Sequence, residues 1–169
     1  MRRTGKDDLV ALYREHVGDY PKFYKMDMLS RLGFMAVELL KKQLPSGAFD
    51  AEHTAVILAN KSASLQNDTA YQKTIADKQN YFPSPALFVY TLPNIVAGEI
   101  AIRHWLYGET AFYVLEDEGQ LKPIVEETLA LTQARFAIAG WVECTSKTEY
   151  SAHVAYVHDG TEKSEDSEY

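Results

Sequence analysis

The sequence predicts an α/β domain in which helices flank a mostly parallel central sheet, and three observations point there. Short apolar runs rich in branched and aromatic residues, at 54–60, 110–115 and 136–142, have the length and composition of strands buried in a parallel core. Between them lie stretches with apolar residues at three- and four-residue steps, the crossover helices that parallel strands need. Helices alternating with buried strands in this way define the layered class.

Each element follows from its own residues. The opening stretch "MRRTGKDDLVALYREHV" reads as helix or coil. Over residues 26–43, Leu29, Leu32, Met35, Ala36, Leu39 and Leu40 recur on one helical face, and Pro45 and Gly47 end the segment. "TAVILAN" is the first strand. A short helix is expected near 68–78, with Asn67 or Asp68 as its cap. "LPNIVAGEIAIRHWLYG" reads as a helix opening near Pro93 and closing at Gly108, with Ala97, Gly98 and Ala101 giving it one narrow side for close approach to another backbone. "TAFYVLE" follows as a strand, "QLKPIVEETLALTQ" as an amphipathic helix and "ARFAIAGWVEC" as a strand. The final strand, "YSAHVAYVH", is expected to pair antiparallel, because "TSKTEY" is too short for a helical crossover.

Composition narrows the function classes. A chain of 169 residues with 46% hydrophobic composition suits one core and one domain. With 24 acidic and 17 basic residues the net charge is -7, which gives no electrostatic basis for binding nucleic acid or an anionic membrane. No apolar run has the ~20 residues that a membrane span needs, and no hydrophobic signal segment follows the N-terminal arginines, so a cytoplasmic location is expected. The last residues, 159–169, are acidic and poor in apolar side chains and read as a disordered tail.

Several residue types here could carry chemistry. Cys144 is the one cysteine and sits in an apolar strand, where a thiol is a small buried hydrophobe more often than a nucleophile. The histidines His16, His53, His104, His153 and His158 show no metal-ligand spacing, and no cofactor or metal is expected. No GxSxG elbow, phosphate-cradling GxxxxGK or GxGxxG is present. Glu116, Asp117 and Glu118 stand between a strand and a helix start; one of them could serve as a general base, or all could cap helical amides. Arg103 and His104 line a cleft or form a solvated helix edge. The aromatic stretches "YPKFYKMD" and "YVHDG" are the first places to expect a partner-facing surface.

Four segments, "FYKMDMLSRLGFMAVELL", "AVILANKSASLQND", "SPALFVYTLPNIVAGEIAIRHWLYG" and "ARFAIAGWVE", together resemble the N-terminal half of a β-ketoacyl synthase across residues 23–143. The resemblance implies a thiolase-like half-fold, with residues 1–22 as an N-terminal extension, 23–158 as the ketosynthase-like domain and 159–169 as the tail. That family condenses acyl groups delivered by acyl carrier protein and works as a dimer. Its nucleophilic cysteine would fall at Leu115, Glu116 or Asp117, none of which can form the thioester intermediate. Its second half, with the two histidines that activate the malonyl donor, would begin where this sequence ends, and its usual opening strand is not visible.

The resemblance therefore implies a non-catalytic accessory subunit of a fatty-acid or polyketide-type pathway. It would act as a homodimer, or as a heterodimer with a full-length ketosynthase, and would contact acyl carrier protein. "TAFYVLE" takes the place of the strand that pairs across the family's dimer axis. The alternative is a small enzyme on acyl thioesters that uses the Glu116–Glu118 carboxylates, and it requires a cleft carboxylate of raised pKa.

Overall fold

The structure is a computed structural model that describes residues 9–158. The expected acidic tail and the first eight residues lie outside the described part. The elements in chain order are α1 (Leu9–His16), α2 (Met28–Lys41), β1 (Thr54–Asn60), α3 (Leu65–Ile75), α4 (Pro85–Val89), α5 (Ile95–His104), β2 (Thr110–Val114), α6 (Leu121–Leu131), β3 (Phe136–Cys144) and β4 (Tyr150–His158). Single 3-10 turns at Pro21–Lys25 and Glu118–Gln120 precede α2 and α6.

The four strands form one sheet in the order β2-β1-β3-β4. β1 pairs parallel with both β2 and β3, and β4 pairs antiparallel with β3, as the short connection requires. Gly140 permits that last pairing, because a Cβ there would collide with the His153 carbonyl and the Val154 backbone.

All seven residues of β1 are buried, so both faces of the sheet are covered. On one face Val56, Leu58, Ile138 and Val142 meet Leu29, Phe34, Val37, Val96 and Ile100, with Tyr13 and Phe23 closing the cluster from the N-terminal side. Tyr13 stacks on Phe23 with centroids 4.1 Å apart, which draws α1 into the same core. On the other face the small side chains Ala55, Ala59, Ala137 and Ala139 let α6 approach through Leu121, Val125 and Leu129. Each fully buried large apolar side chain here contributes about 1.5–3 kcal/mol.

Helix ends depart from the sequence expectations for local reasons. α2 starts at Met28 because Asp27 caps it, accepting from the Ser30 amide at 2.9 Å. α3 starts three residues before Asp68, and Asn67 is instead buried, donating to the Leu87 carbonyl at 2.7 Å. The stretch after Ser84 forms the separate helix α4, whose first turn Ser84 caps. α5 ends at Trp105, in the left-handed region at φ 56°, rather than at Gly108. Gly108 serves a close approach, since a Cβ there would strike the Thr54 carbonyl. The narrow contact between helices lies at Gly33 of α2 against Val96, while Gly98 of α5 faces open space.

Candidate functional site

Three loops converge at the carboxyl ends of the parallel strands, where α/β folds place working residues. After β1, Asn60 donates to the Ala63 carbonyl at 2.9 Å and accepts from the Ala63 amide at 2.8 Å, holding Ala63 at φ 50°. Glu143 of β3 reaches over this loop, accepting from the Lys61 amide at 2.9 Å and from the Ser62 hydroxyl. Lys61 in turn meets Glu116, beyond the end of β2, at 2.9 Å.

The structure brings Leu115, Glu116 and Asp117 to this end of the sheet and gives each a local task. Leu115 packs against the α6 core cluster and donates its amide to the Asn60 carbonyl at 2.9 Å. The Glu116 and Asp117 amides donate to Gln120 Oε1 at 2.9 and 3.4 Å, which closes the turn into α6. Glu118 contacts His153 of β4 at 2.5 Å. The Glu116 carboxylate is 80% exposed, and hydrogen bonding and charge from Lys61 hold it below the usual carboxylate range. An exposed carboxylate of lowered pKa is poorly suited to be the general base that the thioester-enzyme alternative requires.

The other candidates separate. Cys144 is 1% exposed, and burial pushes its thiol up to about 12, so it is a packed apolar residue and not a thiolate. Arg103 and His104 form neither a cleft nor a solvated edge. Arg103 donates to Glu38 at 2.7 Å and to Asp19 at 2.8 Å, with its guanidinium over the Tyr20 ring at 5.2 Å. His104 has Nδ1 3.3 Å from the Lys41 ammonium, and burial, then Lys41 and Arg103, lower its pKa to about 3. It is therefore a neutral ring that accepts from Lys41. Among the described residues no group of three or more His, Cys, Asp or Glu is placed to hold a metal ion, and no helix is long and apolar enough to cross a membrane.

The aromatic stretch at residues 20–27 turns inward, with Phe23 fully buried and Tyr20 stacked on Phe34 at 5.4 Å. Tyr156 of "YVHDG" is half-buried and donates to the Ala48 carbonyl at 2.6 Å; Asp159 and Gly160 lie outside the described residues. Tyr24 of the first stretch stays exposed, and other large apolar side chains are exposed at Tyr81, Phe82, Phe88 and Leu92 and around β2 and α5. β2 is an edge strand whose outer side pairs with no strand among the described residues, and it carries Val114 at 56% exposure. On α5 above it, Ile102 and Trp105 are 59% and 71% exposed. β2 is the "TAFYVLE" strand to which the resemblance gives the dimer-axis place, whereas the sequence pattern does not single out Ile102 and Trp105. Their signal was a helix with apolar residues on two sides, one of which had to face outward.

The class that these elements define is a thiolase-like α/β fold, here a four-stranded sheet flanked by helices. One similar solved structure is the ishigamide ketosynthase/chain length factor, at TM-score 0.66 and 22% identity, covering 80% of this chain and 39% of that one. Another is described as the ketosynthase ApeO in complex with its chain length factor ApeC from Xenorhabdus doucetiae, at TM-score 0.67 and 14% identity, covering 94% of this chain and 76% of that one. The chain thus spans well under half of the first structure and about three quarters of the second. No protein-family model matches the sequence, and no curated protein matches it.

Proposed function

We propose that this chain is a non-catalytic ketosynthase-like accessory subunit of a polyketide or fatty-acid-type pathway, acting by pairing with a ketosynthase in the manner of a chain length factor. The observation that carries this reading is the end of β2. The strand's outer edge pairs with no strand among the described residues, and the positions that follow it, Leu115, Glu116 and Asp117, supply no thiol: Leu115 bonds back to Asn60 of β1, and the Glu116 and Asp117 amides close the turn into α6. A site without a nucleophile cannot hold an acyl group covalently, so the chain's contribution is its surface. The similarity to ketosynthase and chain length factor structures supports that kind of partner. Contact with acyl carrier protein is part of the same proposal.

Light scattering tests it. The chain is measured alone, then mixed with the ketosynthase encoded nearest to it and with that system's acyl carrier protein. A species of summed mass with the ketosynthase is expected, with no condensation activity from this chain by itself. Absence of any complex would sink the reading. A thioester-cleaving activity abolished by Glu116→Gln or Asp117→Asn would replace it with the enzymatic alternative.

A further inference from the structure

Residues 65–92 are folded without a hydrophobic core of their own. Among the described residues from Leu65 to Leu92, Asn67 alone is buried, while Leu65, Tyr81, Phe82, Phe88, Val89 and Leu92 are 47–74% exposed. α3 and α4 pack chiefly on each other, with the rings of Tyr71 and Phe88 5.5 Å apart. Tyr90, near the return end, is the residue that packs against the main core. Where a segment buries so little apolar surface, polar bonds hold it in place, and it opens at a lower free energy than the core.

Its side-chain hydrogen bonds close largely on itself. Asn67 Nδ2 donates to the Leu87 carbonyl at 2.7 Å and ties α3 to α4. The Phe82 amide donates to the Thr74 carbonyl at 3.0 Å, joining the connecting loop to the end of α3. At the base, Ser64 Oγ lies 2.7 Å from the Thr91 carbonyl and 2.9 Å from Asp68 Oδ1, two acceptors for a single hydroxyl hydrogen. Tyr90 reaches out of the segment, donating to Glu99 Oε1 of α5 over a long 3.5 Å. Burial, then the charge of Glu99, push that phenol up to about 12, which keeps it protonated as the donor.

The two ends are fixed. On the β1 side Asn60 clamps Ala63 at φ 50°, and Glu143 holds the Lys61 amide and the Ser62 hydroxyl. On the α5 side Pro93 has a restricted φ, and Val96 and Ala97 are buried in the core. Motion is thereby confined to the stretch between Ser64 and Leu92, which leaves from the carboxyl end of β1 and returns at the start of α5. Inside that return lies Glu99, 5% exposed and 2.8 Å from the Lys22 ammonium. We infer that residues 64–92 form a strap that opens and recloses as one unit while the sheet stays folded, and that its opening uncovers the Glu99 carboxylate.

Native-state hydrogen exchange of the full chain, read by peptide mass at increasing sub-denaturing urea, tests the strap. Amides 66–75 and 86–92 are expected to share one opening, populated at least about a hundredfold more than the opening that exposes β1 and with a smaller urea dependence. Asn67→Ala and Ser64→Ala should each raise that population about fivefold across both helices, with β1 and β3 unchanged. Carbodiimide labelling of Glu99 with glycine ethyl ester should rise by the same factor. Exchange of α3 and α4 in step with β1 in the wild-type chain would overturn the strap, as would an Asn67→Ala effect confined to α3. Unchanged Glu99 labelling in variants whose strap opens more would overturn the uncovering. All of these are measured on this chain alone, so they stand apart from pairing with a ketosynthase.

Discussion

Arg103 of α5 donates through Nε to Glu38 Oε1 of α2 at 2.7 Å, across 65 residues of sequence. Glu38 is 7% exposed, and the guanidinium also reaches Asp19 and lies over Tyr20 and Phe34. This pair sits at the edge of the α5 face that buries Val96, Ala97, Ile100 and Ala101, with Ile102 left exposed on the other side. Arg103→Ala removes the chief partner of a buried carboxylate and is expected to cost about 2–4 kcal/mol in urea unfolding. Replacing both partners, Arg103→Met with Glu38→Leu, should recover most of that loss. A cost below about 0.5 kcal/mol would mark the bridge as an ordinary surface pair.

His104 gives the fold a pH dependence of defined sign. Burial lowers its folded pKa to about 3, below the ordinary imidazole value of 6.5. Between those values the unfolded chain binds the proton and the folded chain does not, so stability rises with pH across this window and is lost on acidification from about 6.5. The expected slope is on the order of 1 kcal/mol per pH unit. Asp27, whose carboxyl is raised chiefly by burial, acts in the opposite sense just above 3.8 and blunts the slope there. His104→Asn keeps an acceptor for Lys41 without the titration. Its thermal midpoint should vary less between pH 6.5 and 4.5 than that of the wild type, and equal slopes would refute this assignment.

Gly33 sets the distance between α2 and α5. A Cβ there would collide with Val96 Cγ2, a side chain only 1% exposed. Gly33→Ala is expected to destabilise the chain by about 1–3 kcal/mol through overpacking. Val96→Ala in the same chain should restore part of it, so the two changes combine non-additively in a double-mutant cycle.

Cys144 should be chemically silent while the chain is folded. Burial holds its thiol near 12 and leaves it 1% exposed. Iodoacetamide at pH 8 is expected to label it only under denaturing conditions, as read by intact mass. Rapid stoichiometric labelling of the native protein would contradict the burial.

The parts of the fold that were legible in sequence are those written in local pattern. "TAVILAN" declared a strand covered on both faces, and β1 is buried along its whole length. The five-residue link before "YSAHVAYVH" excluded a crossover, and β4 is antiparallel. Carboxylates ahead of a helix suggested caps, and the backbone at Glu116 and Asp117 is engaged in that turn. Asn67 and Gly98 were misjudged because their roles depend on what stands across from them. Asn67 reaches Leu87, twenty residues away, and Gly98 faces nothing.

What the sequence determined by itself was the order and type of the main elements, since the two-residue period of strands and the 3.6-residue period of helices are carried by neighbouring residues. Which side of α5 faces inward was decided only in the tertiary structure. α5 carries apolar residues on the side of Val96, Ala97, Ile100 and Ala101 and again at Ile102 and Trp105, so sequence periodicity does not say which set is buried. Contacts with distant segments decide it: Val96, Ala97, Ile100 and Ala101 join the core, Glu99 and Arg103 meet Lys22, Asp19 and Glu38, and Ile102 and Trp105 stay exposed.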